Sequence, residues 1–232
     1  MKQAGIILTT FNFPEKSRRC LESFHETAGY PYHLVIVDNN SGTDQLDDLH
    51  ARSNYLITNP ADVSLSRALN QGLTYLLEQR EIGYIGWIHN DMLFFRHWLE
   101  RLVQTLDSHP EIGKLAPYNF TGEPARVTEV IAEEFMQKNR DIIRPANACP
   151  WLCPRGAVEE TGFFDEGYLR CGGYEDWDYN NRMLERGYSV MITRASVVWH
   201  ETMGTRKHIE QKEAEVANSG RYFSKWGPGP RV

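Results

Sequence analysis

The sequence predicts an α/β fold in which a mostly parallel sheet is flanked by helices within a single domain. Short runs rich in β-branched residues alternate with longer segments whose apolar residues recur at helical spacing, which is typical of parallel strands joined by helices. The chain has 232 residues, enough for one substantial core. It contains no internal repeat or low-complexity linker that would divide that core.

Strands and helices alternate regularly in the first half. One helix is predicted to begin at Pro14, a residue favoured in the first helical turn, and to end near Gly29. The other elements follow from apolar patterning. They are strands at residues 4–10, 32–37, 55–58, 84–88 and 112–116, and helices at residues 64–80 and 98–106.

The second half is less regular. Residues 118–148 are polar and are assigned neither helix nor strand. Two helices, each closed by a glycine, are predicted at residues 157–161 and 176–186. Strand-like segments at residues 189–193 and 196–199 lead into His200. The tail is predicted to be helical over residues 206–219 and irregular over residues 225–230.

Composition favours a soluble cytoplasmic protein, with peripheral attachment to a membrane left open. The net charge of −6 disfavours general nucleic-acid binding, and no apolar run is long enough to span a membrane. The first residues lead directly into a strand rather than a signal peptide. The four cysteines are therefore expected to be reduced. A zinc site is a less favoured alternative, with Cys149, Cys153, Cys171 and His200 as its ligands.

Acids follow two of the predicted strands. Asp38 follows the second strand, and Asp91 follows the fourth strand after His89 and Asn90. In an open α/β sheet, ligands bind at the carboxyl ends of the strands. Asp91 lies between two apolar runs, so it should be partly buried and should need a cation or hydrogen-bond donors. The simpler interpretations are a polar turn for Asp38, a loop or capping acid for Asp91 and a packing residue for His200.

A third acidic cluster opens the predicted helix at residue 176. Acids at a helix N-terminus are stabilised by the helix dipole, and capping is the favoured interpretation of Asp178, which can also pair with Arg182. Capping explains Glu175 and Asp176 less well. The preceding pair Gly172-Gly173 allows the backbone to approach a ligand closely.

Seven segments, in order, resemble the motifs of family 2 glycosyltransferases of the GT-A fold, a Rossmann-like fold. The resemblance runs over about residues 4–226, and its strength lies in the order of motifs that are individually weak. The segments are Thr9-Thr10-Phe11-Asn12; Val37-Asp38-Asn39-Asn40-Ser41-Gly42-Thr43-Asp44; Asn59-Pro60 with Ser66-Arg67-Ala68-Leu69-Asn70-Gln71-Gly72; His89-Asn90-Asp91 with Trp98-Leu99-Glu100-Arg101-Leu102; Gly162-Phe163-Phe164-Asp165-Glu166; Tyr174-Glu175-Asp176-Trp177-Asp178; and His200 with Gly204-Thr205.

The resemblance implies transfer of a sugar, with inversion, from a nucleotide-diphosphate sugar to an acceptor hydroxyl, and a UDP-sugar is the favoured donor. Residues 1–117 would bind the donor, residues 118–205 would carry the acceptor and catalytic half, and residues 206–232 would form a tail. Asp176 matches the catalytic base, and its place at a helix start is expected to keep it ionised at some cost in basicity. The acceptor class is left open, a modified nucleobase included.

The resemblance also implies a divalent cation and a set of ligand contacts. Mn²⁺ or Mg²⁺ would be held by Asp91, with His200 as a second ligand. Phe11 would stack beside the base and Arg67 would neutralise phosphate. The full set for the nucleotide is Thr9, Phe11, Asp38, Asn39, Arg67 and Asn90, and the acceptor would contact Glu175 and Trp177.

Two departures from the family pattern leave other functions open. His89 stands where the metal motif usually has its first acid, and Asn39 stands where many members have a second aspartate. A non-catalytic nucleotide-sugar-binding protein is one alternative, but it would be expected to lose Asp91 or Asp176. A sugar nucleotidyltransferase ranks lower, because residues 9–14 contain neither glycine nor lysine for a phosphate loop.

Overall fold

The computed structural model describes residues 2–42, 45–143, 149–171, 173–201 and 211–228. Three predicted features lie outside the described residues: Thr43-Asp44, Gly172 and the motif Gly204-Thr205. The predicted tail helix is described only from residue 211. No helix in the described ranges combines the length and the apolar character that a membrane crossing requires.

Every strand and helix predicted in the first half is present. The elements are β1 (Gln3–Thr10), α1 (Pro14–Thr27), β2 (Tyr32–Asp38), α2 (Leu46–Ala51), β3 (Tyr55–Thr58), α3 (Leu65–Glu78), β4 (Ile82–His89), β5 (Met92–Phe94), α4 (Trp98–Ser108) and β6 (Ile112–Phe120). Helix α2 and strand β5 were not predicted. Helix α2 buries Leu49 alone, so its apolar pattern is too short to recognise.

The second half corrects several predictions. It contains a short 3-10 helix (Pro124–Arg126), α5 (Glu129–Lys138), β7 (Ile142–Ile143), β8 (Trp151–Pro154), α6 (Arg155–Thr161), α7 (Glu175–Glu185), β9 (Ser189–His200) and α8 (Lys212–Trp226). Helix α5 lies in the segment that received no assignment, β8 was missed, and the two segments from residue 189 form one strand. The irregular end predicted from residue 225 starts two residues later, because α8 continues to Trp226, and residues 227 and 228 lie outside the helix.

The strands form one sheet in the order β3-β2-β1-β4-β8-β6-β9-β5, with β7 paired to β9. Six described strands share one direction (β1, β2, β3, β4, β6 and β9), and β5, β7 and β8 run against them. This arrangement, covered by helices, confirms the predicted α/β fold. In the parallel block, Thr10 lies opposite Asp38 and Thr9 lies opposite His89. The polar residues at these strand ends therefore share one edge of the sheet.

Helix α8 is attached to α7 by the buried carboxylate of Asp178. Its oxygens accept hydrogen bonds from Arg182 Nε at 2.9 Å, Lys225 Nζ at 2.6 Å and Trp226 Nε1 at 2.9 Å, and its side chain is fully buried. The predicted pairing of Asp178 with Arg182 is confirmed. Lys225 and Trp226 explain why the helix does not end earlier, since their contacts with Asp178 hold the last turn against α7.

Replacement of Asp178 by asparagine is expected to lower the free energy of unfolding by about 3 kcal/mol. Removal of one partner from a buried ion pair leaves the remaining charges without compensation. Urea denaturation measures the loss. Asp141→Asn is the matched control, because Asp141 pairs with Arg194 at 3.1 Å on the surface and should cost less than about 1 kcal/mol. Equal losses in the two variants would show that Asp178 does not hold the helices together.

Candidate functional site

The loops after β1 and β2 are joined by Asp38. Its Oδ1 accepts a hydrogen bond from Thr10 Oγ1 at 2.9 Å, and its Oδ2 accepts one from the Ser41 amide at 3.0 Å. The Asn12 amide in turn donates to Ser41 Oγ at 2.8 Å. Asp38 thus shapes the loop in which it lies, as expected for a polar turn, and its contact with a nucleotide stays a prediction.

Asn39 braces the loop between β3 and α3. Its Nδ2 donates to Asp62 Oδ1 at 2.8 Å and to the Val63 carbonyl at 2.7 Å, while its Oδ1 accepts from the Val63 amide at 3.0 Å. The same oxygen also accepts a long hydrogen bond from Asn59 Nδ2 at 3.5 Å, so both amide hydrogens and both oxygen lone pairs are used within the protein. A direct contact between Asn39 and the base stays a prediction, with little hydrogen-bonding capacity left for it.

The other residues predicted to bind the donor lie along the same edge or beside it. Thr9 is partly exposed, and its Oγ1 accepts a hydrogen bond from Trp87 Nε1 at 3.3 Å. Phe11 is half-buried directly after β1. Arg67 is an exposed residue at the start of α3, where its backbone amide donates a hydrogen bond to Ser64 Oγ. All three positions are compatible with the predicted roles, which remain untested.

His89, Asp91 and His200 form a group of candidate metal ligands. Asp91 lies in the turn between β4 and β5, and His200 is brought beside it because β5 pairs with the end of β9. Asp91 Oδ1 is 3.3 Å from His200 Nε2 and 3.9 Å from His89 Nδ1, and the two imidazole nitrogens are 3.4 Å apart. One ligand atom from each residue lies within 4.8 Å of the other two.

The electrostatics of this group suit metal coordination. Burial raises the pKa of Asp91, but His200 and His89 more than offset it, so the net pKa lies below its usual value. Burial lowers the pKa of His89 to about 4, with His200 adding to the effect and Asp91 opposing it, so the ring is neutral at pH 7. Asp91 Oδ1 is buried and accepts no hydrogen bond of regular geometry within the described part of the chain. A neutral imidazole and an ionised carboxylate are the forms that bind metals.

The predicted role of His89 changes with this geometry. The sequence placed it where a first acid is expected and left its contact with a metal open. The structure puts its Nδ1 in the same group as Asp91 and His200, which the spacing of 111 residues between the histidines could not show. Asn90 turns inward instead, since it is buried and its Nδ2 donates to Ser17 Oγ of α1 at 3.0 Å. Its predicted contact with the nucleotide stays a prediction.

Asp176 lies in the first turn of α7, beside β6 and β8. Burial raises its pKa, and although the Lys114 ammonium and the Trp151 indole N–H oppose this effect, the net pKa lies above its usual value. The expectation that the helix start would lower its basicity is therefore wrong. Desolvation outweighs the helix dipole at this position, so the carboxylate is a stronger base than an exposed aspartate.

Lys114 is a site residue that the sequence analysis missed. It lies in β6 among apolar residues, its side chain is only 2% exposed, and its Nζ is 3.9 Å from Asp176 Oδ1. The ammonium also donates to Asn180 Oδ1 at 2.8 Å. A lysine inside a predicted buried strand was the available signal, because a buried ammonium requires a partner.

Cys149 is buried, and its thiol donates a hydrogen bond to the Trp87 carbonyl of β4 at 3.7 Å. Burial raises the pKa of the thiol well above the ordinary value, and the carboxylates of Asp176 and Asp91 add to that effect. The zinc alternative receives no support. Within the described ranges, the ligand group that includes His200 contains no cysteine, and burial raises the pKa of the Cys153 thiol to about 12.

The remaining predicted residues lie next to Asp176. Glu175 is buried, and Trp177 packs its ring against Tyr174 and Tyr222. Contacts of Glu175 and Trp177 with an acceptor stay predictions.

The motifs at residues 66–72 and 162–166 contact each other. Asn70 of α3 donates from Nδ2 to the Phe164 carbonyl at 3.0 Å and accepts from the Phe164 amide at 2.8 Å.

Comparisons with known proteins agree with the fold. The model of the family described as "Glycosyl transferase family 2" matches residues 5–149. A similar solved structure is the crystal structure of GalNAc-T7 with UDP, GalNAc and Mn²⁺, with a TM-score of 0.66 and 14% sequence identity. The match covers 86% of this chain and 44% of that chain, so the chain spans less than half of its structural relative. At this identity the likeness shows a shared fold, which confirms the GT-A prediction.

The family match begins within β1, continues past β7 and includes His89, Asp91 and Lys114. The chain therefore belongs to glycosyl transferase family 2.

Proposed function

We propose that the protein is an inverting glycosyltransferase that moves a sugar from a UDP-sugar to an acceptor hydroxyl. The observation that carries this proposal is the convergence of His89, Asp91 and His200 at the carboxyl end of β4, with one ligand atom of each within 4.8 Å of the other two. The pKa values of two acids in the chain are also shifted in opposite directions. Asp91, with a lowered pKa, belongs to a candidate metal group, and Asp176, with a raised pKa, lies at a helix start. Environments that push the pKa values of two acids apart are typical of sites in which the acids have different roles.

Asp91, His89 and His200 would hold the divalent cation. Their ligand atoms are 3.3, 3.4 and 3.9 Å apart, so one cation would be within reach of all three side chains. Two imidazoles with one carboxylate suit Mn²⁺ better than Mg²⁺, which prefers oxygen ligands. When bound, the cation would stabilise the negative charge that develops on the departing diphosphate. The GalNAc-T7 structure, which contains UDP and Mn²⁺, supports the same pairing here.

The loops at the carboxyl ends of β1, β2 and β3 would bind the nucleotide. Thr9 and Phe11 border this edge, Asp38 and Asn39 hold the loops in shape, and Arg67 lies beside them with an exposed guanidinium. Asn90 would act indirectly, because its hydrogen bond to Ser17 of α1 fixes the turn that carries Asp91. Phe11 would stack beside the base, and the guanidinium of Arg67 would neutralise negative charge on the phosphates.

Asp176 would accept the proton of the acceptor hydroxyl while the hydroxyl oxygen attacks the anomeric carbon of the donor sugar. The bond between that carbon and the diphosphate oxygen breaks as the new glycosidic bond forms, and a single displacement inverts the configuration. The raised pKa of Asp176 favours proton transfer, because a base works best when its pKa approaches the working pH. Glu175 and Trp177, its neighbours on α7, would contact the acceptor.

Asp176→Asn is expected to reduce transfer by at least about 100-fold, because general-base catalysis contributes that much or more. Turnover is measured as nucleoside diphosphate release, in a panel of nucleotide sugars and acceptors on which the unmodified protein is active. Binding of UDP should be unchanged. Asp141→Asn serves as the control. If Asp176→Asn keeps most of its turnover, the base assignment is wrong.

Asp91→Asn is expected to abolish the thermal stabilisation that Mn²⁺ adds to UDP binding, because the variant loses the only carboxylate among the candidate ligands of this group. His200→Gln and His89→Gln should weaken the effect by smaller amounts. The measurement is a thermal shift with UDP, with and without Mn²⁺, and Asp141→Asn, in a surface pair with Arg194, is the control. Metal-dependent stabilisation that survives in Asp91→Asn would place the cation elsewhere. Binding by the unmodified protein without turnover in any panel would favour the non-catalytic alternative.

A further inference from the structure

We propose that Lys114 is a positioning residue, which orients the Asp176 carboxylate towards the acceptor and keeps it ionised. The proposal rests on the function proposed above, in which Asp176 is the general base. It assigns a role to a buried lysine that lies on a different element of the fold, and it explains how a desolvated carboxylate can remain available to take a proton.

The geometry places the ammonium between two side chains of one helix. Asp176 and Asn180 are separated by four residues on α7, so they project from the same face. Lys114 Nζ donates to Asn180 Oδ1 at 2.8 Å and is 3.9 Å from Asp176 Oδ1. The Trp151 ring of β8 lies on another side, with its centroid 5.0 Å from the ammonium. Three elements, β6, β8 and α7, therefore meet at this charge.

Burial makes the arrangement specific. Lys114 is among the largest fully buried side chains, and Asn180 is fully buried as well. A lysine placed in such surroundings without a partner would lose its proton or disrupt the fold. Asn180 is neutral, so it can fix the position of the ammonium without cancelling its charge. The charge remains available to act on Asp176, whose Oδ1 facing the ammonium is buried although the side chain as a whole is 20% exposed.

The groups that face this pair set the direction of the pH effect. Three groups from other parts of the fold act on Asp176: the Lys114 ammonium of β6, the indole N–H of Trp151 of β8 and the Cys149 thiol. On α7 itself, Glu175 and Asp178 are its near neighbours in sequence. Lys114 faces the Cys149 and Cys153 thiols in addition. Lys114 is the only one of these groups that is cationic, so its loss must raise the pKa of Asp176.

The test compares two neutral variants with the unmodified protein. Lys114→Gln keeps a donor for Asn180 and nearly the same volume, and Lys114→Met removes both the charge and the donor. A base is active as the carboxylate and loses activity as the pH falls through its pKa. The acid limb of kcat/KM against pH should therefore move up by about one unit or more in both variants. At a pH below both acid limbs, kcat/KM of each variant should be about 10-fold lower than that of the unmodified protein for each unit by which its limb has moved. The KM for the donor should be unchanged, and activity should recover at higher pH.

A second measurement does not depend on turnover. The indole N–H resonance of Trp151, identified by its loss in Trp151→Phe, should titrate with Asp176, and the titration should vanish in Asp176→Asn. Its midpoint should rise by about one unit or more in the neutral Lys114 variants. If neither neutral variant folds, Asn180→Ala takes their place, and its midpoint should differ from that of the unmodified protein.

Lys138→Met is the matched control, because Lys138 lies on the surface, where it pairs with Glu134 at 3.6 Å. It should leave both the pH profile and the Trp151 titration unchanged. Neutral variants that fold and keep the original acid limb and midpoint, or an unchanged midpoint in Asn180→Ala, would overturn the proposal. The two proposals fail separately. Turnover by Asp176→Asn would remove the base assignment, whereas the Trp151 titration would still report whether Lys114 controls the carboxylate.

Discussion

The parallel pairing of β1 with β2 on one side and with β4 on the other is the constraint on which the site depends. Its register sets Thr10 opposite Asp38 and Thr9 opposite His89, so three strands end in polar residues at one edge of the sheet. Parallel strands require crossover connections, and α1 and α3 supply them. The polar edge therefore follows from the same connections that bury the apolar faces of the strands.

Strand β8 makes the second half of the site. It runs against both β4 and β6, and this pairing sets Trp151 opposite Trp87 of β4, with its indole N–H acting on Asp176 of α7. The antiparallel pairing of β5 with β9 sets His200 beside Asp91. The antiparallel strands are thus the elements that join the two halves of the chain into one site.

Buried charge is compensated in two different ways in this protein. Asp178 receives three donors and locks α8 onto α7, which is a structural use of charge. Lys114 and Asp176 are compensated less completely, at a separation of 3.9 Å, and the pKa of the acid is displaced upward as a result of its burial. Full compensation gives rigidity, whereas partial compensation leaves a group whose protonation can change during a reaction.

The sequence by itself determined the alternation of strands and helices, the acids at the strand ends and the order of the motifs, because each of these depends on residues that are close in the chain. Apolar periodicity located β1 to β4 and the helices between them, apart from α2. It could not locate β8 or α5, whose residues acquire their burial from partners far away in sequence. Only the tertiary structure decided that His89 joins Asp91 and His200, that Lys114 faces Asp176, and that α8 continues to Trp226. The contacts that His200, Asp176 and Lys225 make in these groups span 47 to 111 residues, and no local pattern encodes such a distance.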